Sequence, residues 1–192
     1  MPSADPDPLD PARRHTLLAL ARQSIAHGLD RGCSLPVVPS DYPADLAEYQ
    51  ATFVTLHIQG TLRGCVGHLE AIQPLVSDVA ENAFAAAFRD PRFPPLTRSE
   101  LPRLAAEVSI LTPPRSLTVT SEDELLRMIE PGRDGLILED GTARGTFLPT
   151  IWESLPDPRA FLHHLKQKAG LPPDHWSDRI RFRRYRTESF SD

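Results

Sequence analysis

This sequence predicts an α+β fold built on antiparallel hairpins, and three observations support that prediction. Two β-branched, apolar runs flank Gln59-Gly60 and two more flank Asp140-Gly141, each the pattern of a β-hairpin. Apolar residues recur at helical spacing over 10–28, 74–89 and 157–170. Between them strands and helices alternate irregularly, which disfavours a parallel doubly wound sheet. At 192 residues the chain suits one domain or two small lobes, and can bury roughly 70% of its unfolded surface.

Residues 1–8, MPSADPDP, read as a flexible tail. Asp10-Pro11 is an N-cap followed by proline in the first helical position, Leu17, Leu18, Ala21 and Ile25 form the inward stripe, and Gly28 is the expected stop. Gly32 to Tyr49 is a proline-punctuated connection of unusual length, expected to be functional or folded down as a wrap.

For the first hairpin, a two-residue turn would force Gln59 to positive φ, whereas a three-residue loop needs only Gly60 there. The three-residue register pairs Phe53 with Cys65 and Thr55 with Arg63. It puts Val54, Leu56, Leu62 and Val66 on a core face and Thr55, His57, Arg63 and Cys65 on the other.

Pro74 then opens a helix to about Arg89, with Leu75, Val76, Val79, Ala80, Ala83, Ala87 and Phe88 inward and Asp78, Glu81, Asn82 and Arg89 on the opposite side, Asn82 at the boundary. Asp90-Pro91 ends it. Ala106 to Leu111 alternates as a half-buried strand. Ser121 to Glu124 is a capping box for a helix to Ile129. Leu136 to Glu139 and Arg144 to Leu148 form the second hairpin around Asp140-Gly141. Asp157-Pro158 caps a helix ending at Gly170, and Ile180 to Tyr185 is the final strand.

Composition removes several classes of function. Lys+Arg 21 against Asp+Glu 26 gives −5, so no global field favours nucleic acid. The arginines at 179, 181, 183, 184 and 186 are the one basic cluster, and a solvated strand face or edge protection accounts for them. Two cysteines, Cys33 and Cys65, are too few for a disulfide framework or a thiolate metal cage. The expected setting is the cytoplasm, with no membrane span and no signal peptide. No phosphate loop, dinucleotide fingerprint or metalloprotease motif is present, and no cofactor is expected. His68 and Glu70 could share a metal, but two ligands without a third define no site.

Cys65 carries the chemistry. A thiol beside the Arg63 guanidinium, with His57 in diagonal reach, is placed to gain thiolate character. Gly64 and Gly67 would let a ligand or another backbone approach. The competing reading is a small buried hydrophobe, with the glycines marking a bulge or a tight helix contact. Arg92 is an anion clamp or a turn-locking partner of Asp90.

The string LRGCVGHLEA (62–71) resembles the AMMECR-one domain family, and more closely its prokaryotic branch, AmmeMemoRadiSam system protein A. The resemblance takes in FVTL before that string and NAFAAAFRDPRFPPL after it. It continues through EVSILTPP (107–114), DGLILEDG (134–141), GTFLP (145–149), FLHHLKQKAGLP (161–172) and RYRTESF (184–190), and so covers nearly everything after Leu9. Val66 stands where isoleucine is usual, and Thr150 where glutamine is expected. The resemblance implies two lobes forming one unit over 9–192, with a cleft between them, and no assigned reaction. It implies a Memo-type protein and a radical S-adenosylmethionine enzyme as partners. Carried over residue by residue it marks Arg63, Gly64, Cys65, Gly67, Glu70, Asn82, Asp90, Arg92, Phe93, Glu107, Gly145 and Thr146.

Three functions follow. The first is a component binding a small anionic ligand, a peptide or partner proteins through Arg63, Gly64, Cys65, Gly67, Asn82, Arg92 and Thr146. The second is an enzyme using Cys65 as nucleophile or redox thiol, helped by Arg63 and Glu70 or His57. The third, nucleic-acid binding, is disfavoured because Phe182 and Tyr185 fall on opposite strand faces.

Overall fold

A computed structural model describes residues 8–192; the tail expected over 1–8 falls almost wholly outside them. The described residues form two compact units, one of residues 8–113 with 188–192 and one of residues 114–187. Each is a four-stranded antiparallel sheet with helices on one face, so the α+β expectation holds.

In the first unit, α1 (Pro11–Arg31) begins at Asp10, whose carboxylate accepts the Arg13 N–H at 2.8 Å. The helix runs past Gly28 and stops at Gly32, which takes φ 73. Gly28 is not a stop because it is a contact. A Cβ there would lie 2.5 Å from the Phe88 ring, so the glycine lets α1 close on α2 (Leu75–Phe88). The connection after α1 folds down through two short 3-10 turns, Pro39–Asp41 and Ala44–Ala47, and buries Leu46 completely.

The sheet of this unit has the order β2-β1-β3-β8, comprising β1 (Ala51–Ile58), β2 (Thr61–Gly67), β3 (Leu104–Leu111) and β8 (Thr187–Ser191). Val54, Leu56, Ala106 and Val108 pack with α1 and α2 into one core. β8 was not expected: the chain turns at Arg186 and returns to the first sheet.

The hairpin register corrects the sequence reading. Ile58 pairs with Thr61, so the turn has two residues, Gln59 at φ 51 and Gly60 at φ 78. Both are left-handed, as a type I′ turn requires, and its twist matches that of the strands. The strain at Gln59 is therefore offset by strand geometry. Next to the turn His57 pairs with Leu62, but beyond it Leu56 pairs with Gly64, leaving Arg63 as the extra residue of a bulge. The bulge restores the expected face for the thiol: Thr55 pairs with Cys65, and Val54 with Val66 on the core side.

In the second unit, β5 (Gly135–Asp140) and β6 (Ala143–Phe147) turn through Gly141-Thr142, one residue later than expected, with Gly141 at φ 61. β4 (Arg115–Leu117) and β7 (Arg181–Tyr185) complete the order β4-β7-β5-β6. The arginine-rich strand is thus internal, not an edge; Arg183 bonds Glu139 at 3.1 Å, Arg184 lies 3.6 Å from Asp134, and just past the strand Arg186 bonds Glu130 at 2.9 Å and Asp134 at 3.3 Å. Helices α3 (Glu122–Met128) and α4 (Pro158–Lys168) supply Leu125, Phe161, Leu162 and Leu165 to a core shared with Leu136, Leu138 and Phe182. Among the described residues no helix is long and apolar enough to cross a membrane.

Candidate functional site

The bulge explains where the motif residues point. Gly64 and Val66 face the core while Cys65 faces away from it, beside Thr55 on β1 and next in line to Glu107 on β3. Thr55, Cys65 and Glu107 are each partly exposed. The Thr55 hydroxyl donates to the Cys65 sulfur at 3.3 Å, and no imidazole or carboxylate bonds the thiol. Burial pushes the thiol pKa above its ordinary value, with the Thr55 bond and Arg92 opposing the rise. That direction opposes the thiolate expected from neighbouring guanidinium groups.

Both guanidiniums are engaged. Arg63 donates from Nε to Glu100 at 2.8 Å and from Nη2 to the Pro94 carbonyl at 2.9 Å, with its side chain 11% exposed. This pairing, with the Thr97 N–H, holds the Glu100 carboxyl down at about 2. Arg92 closes a fork on Asp90 at 3.0 and 2.7 Å, which holds that carboxyl far below its usual range, and Asp90 is 5% exposed. The turn-locking role of Arg92 is therefore realised, although its own side chain is half exposed.

Asp90 also accepts the Cys65 N–H at 2.9 Å. β2 is an edge strand, so this carboxylate caps a main-chain donor that would otherwise be open to another strand. The helix-terminating turn thereby fixes the backbone of the thiol residue.

Both motif glycines are close-approach positions. A Cβ on Gly64 would lie 2.0 Å from the Ala86 carbonyl oxygen of α2, and one on Gly67 would lie 2.3 Å from the Phe53 ring. The openness that sequence reading offered to a ligand is taken up internally.

Asn82 is 1% exposed rather than at the boundary of the outer side of α2. It donates to the Thr52 carbonyl and hydroxyl and to Asp78 at 2.9–3.2 Å. Asp78, assigned outward, is fully buried and accepts from the Thr52 N–H and hydroxyl at 2.9 and 2.6 Å. The helix turns this polar pair inward because the start of β1 presents donors there that need acceptors. A polar Thr52 in phase with Val54 and Leu56 was the signal available in the sequence.

Thr146 belongs to the second unit, where its hydroxyl donates to the Leu136 carbonyl at 3.0 Å and lies 3.2 Å from the Tyr185 hydroxyl. Gly145 lies where a Cβ would be 3.1 Å from the Leu165 carbonyl of α4. Glu70 is exposed beyond the end of β2. Among the described residues no three His, Cys, Asp or Glu side chains are grouped to hold a metal ion. Arg63, Gly64, Cys65, Gly67 and Arg92 are thus gathered around β2. Asn82 lies on the opposite side of that sheet.

The comparisons agree with this architecture. A protein of Methanothermobacter thermautotrophicus is 40% identical over 191 residues, covering 96% of this chain and 97% of its own. One from Methanocaldococcus jannaschii is 42% identical over 164 residues, covering 81% and 80%. The crystal structure of an uncharacterised Pyrococcus horikoshii protein matches with a TM-score of 0.84 at 37% identity, over 92% of this chain and 90% of that one. The AMMECR1 family model matches residues 18–190, so with these relatives and this shared fold the chain belongs to the AMMECR1 family.

Proposed function

We propose that this protein is a recognition component that binds partner proteins or a peptide through the Cys65 side of its first sheet, with no chemical step at the thiol. The observation that carries this reading is the setting of Cys65: a partly buried sulfur that, among the described residues, is bonded by the Thr55 hydroxyl and by no imidazole or carboxylate, with burial raising its pKa. A nucleophilic cysteine needs a base in hydrogen-bond reach or a lowered pKa. The internal pairing of Arg63 and Arg92 favours a rigid protein-binding surface over a small-anion pocket, since each guanidinium is already neutralised. The Memo-type and radical S-adenosylmethionine proteins suggested by family likeness are the partners to try.

Glu107, beside Thr55 and partly exposed, is the contact to test. Glu107→Arg should weaken partner binding about tenfold, with thermal stability unchanged, while Cys65→Ser should leave it within about twofold, as an isosteric hydroxyl keeps the Thr55 contact. Loss of a measured turnover on Cys65→Ser at full stability would overturn the reading in favour of an enzyme.

A small anion is the second reading, favoured by one observation. Arg63 Nη1 is buried without a hydrogen-bond partner, a spare charged donor. Saturable binding of inorganic phosphate or acetate that Arg63→Lys abolishes would support it.

A further inference from the structure

The outer face of the first sheet carries one charge without a counterpart among the described residues. Thr55 of β1 pairs with Cys65 of β2 on one side and with Glu107 of β3 on the other, so the three side chains stand in a row across the sheet. Phe53 and His57 flank Thr55 along β1, and Ala105 and Ser109 flank Glu107 along β3, all on the same face.

The donors of this row are engaged elsewhere. The Thr55 hydroxyl gives its one proton to the Cys65 sulfur at 3.3 Å. The Ser109 hydroxyl is joined to that of Ser189 at 2.7 Å. Among the described residues no hydrogen bond or ion pair reaches Glu107, and His57 makes none to it. Yet Glu107 is partly buried, on a strand with neighbours on both sides. Its carboxylate has therefore given up water without gaining a protein donor.

The groups nearest in space leave that charge uncompensated. The charged side chains felt at the Cys65 sulfur are Arg92, Asp90 and Glu107. Arg92 is forked on Asp90 at 3.0 and 2.7 Å, so that pair cancels and Glu107 remains. Beside it lie Ala105, the Cys65 thiol and Phe53, whose ring closes on Gly67, each partly exposed. A carboxylate next to such surface suits a guanidinium or ammonium head on a hydrocarbon stem.

We propose that Glu107 anchors one arginine or lysine side chain of a partner protein, with the stem along Cys65 and Phe53 and the cationic head bonded to the carboxylate. This anchor rests on the reading of the Cys65 side as a recognition surface, and adds the charge that the partner presents there.

The test uses the full chain labelled with nitrogen-15 and a capped pentapeptide with one arginine between two leucines. Counterparts carry norleucine or glutamate in place of the arginine. The arginine peptide should move the Thr55, Cys65 and Glu107 amides saturably, more weakly as salt rises, and the glutamate peptide should not. Glu107→Gln, which removes the charge at equal size, should lower the arginine peptide's affinity about fivefold, to that of the norleucine peptide, with thermal stability unchanged. Glu107→Asp, which keeps the charge, should hold it within about twofold. Saturable movement of these amides with an affinity that Glu107→Gln leaves unchanged would overturn the anchor and leave the recognition surface standing. No saturable movement there, or equal affinity for the three peptides, would also overturn the anchor, while the recognition surface is judged separately by turnover of Cys65→Ser.

Discussion

The two hairpins of this protein solve the same packing problem differently. Each lays a helix against a strand through a glycine: Gly64 of β2 under α2, and Gly145 of β6 under α4. In the second unit β5 and β6 pair without interruption and their turn places a glycine at the left-handed position. In the first, a non-glycine residue takes that conformation and a bulge follows at Arg63. The regular hairpin holds its unit together. The irregular one does that and also turns Cys65 out of the core while aiming Arg63 at Glu100. Strain and a bulge concentrated in one of two otherwise similar elements are the reason the proposed recognition surface is placed on it.

The contrast is most easily broken at the glycines. Gly64→Ala should destabilise by about 3 kcal/mol or more, because the added carbon meets helix backbone that cannot move aside. The same carbon on Gly145 has contacts of 3.1–3.2 Å, and Gly145→Ala should cost about 1 kcal/mol. Urea unfolding of both variants measures the difference, and equal costs would remove the distinction.

The next largest effect belongs to the ion pair below the bulge. Glu100 has a folded-state pKa of about 2 against an ordinary 4.5, so its contribution is complete above pH 4.5 and is lost as pH falls towards 2. Glu100→Gln should cost about 1–2 kcal/mol at neutral pH, and should flatten the acid limb of the stability profile between those values. An acid limb unchanged by the substitution would show that Arg63 is held by other contacts.

The smallest effect lies at the turn. Gln59→Asn should stabilise the first hairpin by about 0.5 kcal/mol, because asparagine enters the left-handed region more readily and Asn-Gly is the favoured type I′ pair. Thr142→Asn, at the second position of the other turn, should give no gain, since there the residue at positive φ is the first one, Gly141.

Much of this architecture was legible in the sequence. The caps at Asp10, Ser121 and Asp157 and the helices they begin came from local chemistry that tertiary contacts do not override. The register of the first hairpin did not, because a bulge has no composition of its own; its place depends on where α2 presses on Gly64. The face of Thr55 and Cys65 came out as expected even so, since turn and bulge each shift the register by one residue in the same direction and a slip of two returns each side chain to its original face. Asp78 was assigned outward and Asn82 to the boundary, and both are buried, because helical periodicity sorts residues by polarity, whereas the donors at Thr52 make an inward polar pair favourable. Glu100 was not singled out at all: its partner lies 37 positions away, and nothing local marks the pairing. The return of β8 to the first sheet was hidden in RYRTESF, which reads as a single strand end until Arg186 turns it.

The central claim, that Cys65 recognises rather than reacts, is tested most directly by the pH dependence of its alkylation by iodoacetamide. Cys33→Ser removes the exposed second thiol from the measurement. The rate at Cys65 should stay low at neutral pH and reach half its maximum only above the ordinary thiol value of 9.0. A half-maximal rate near or below pH 7, in protein of unchanged thermal stability, would contradict it and identify a thiolate nucleophile.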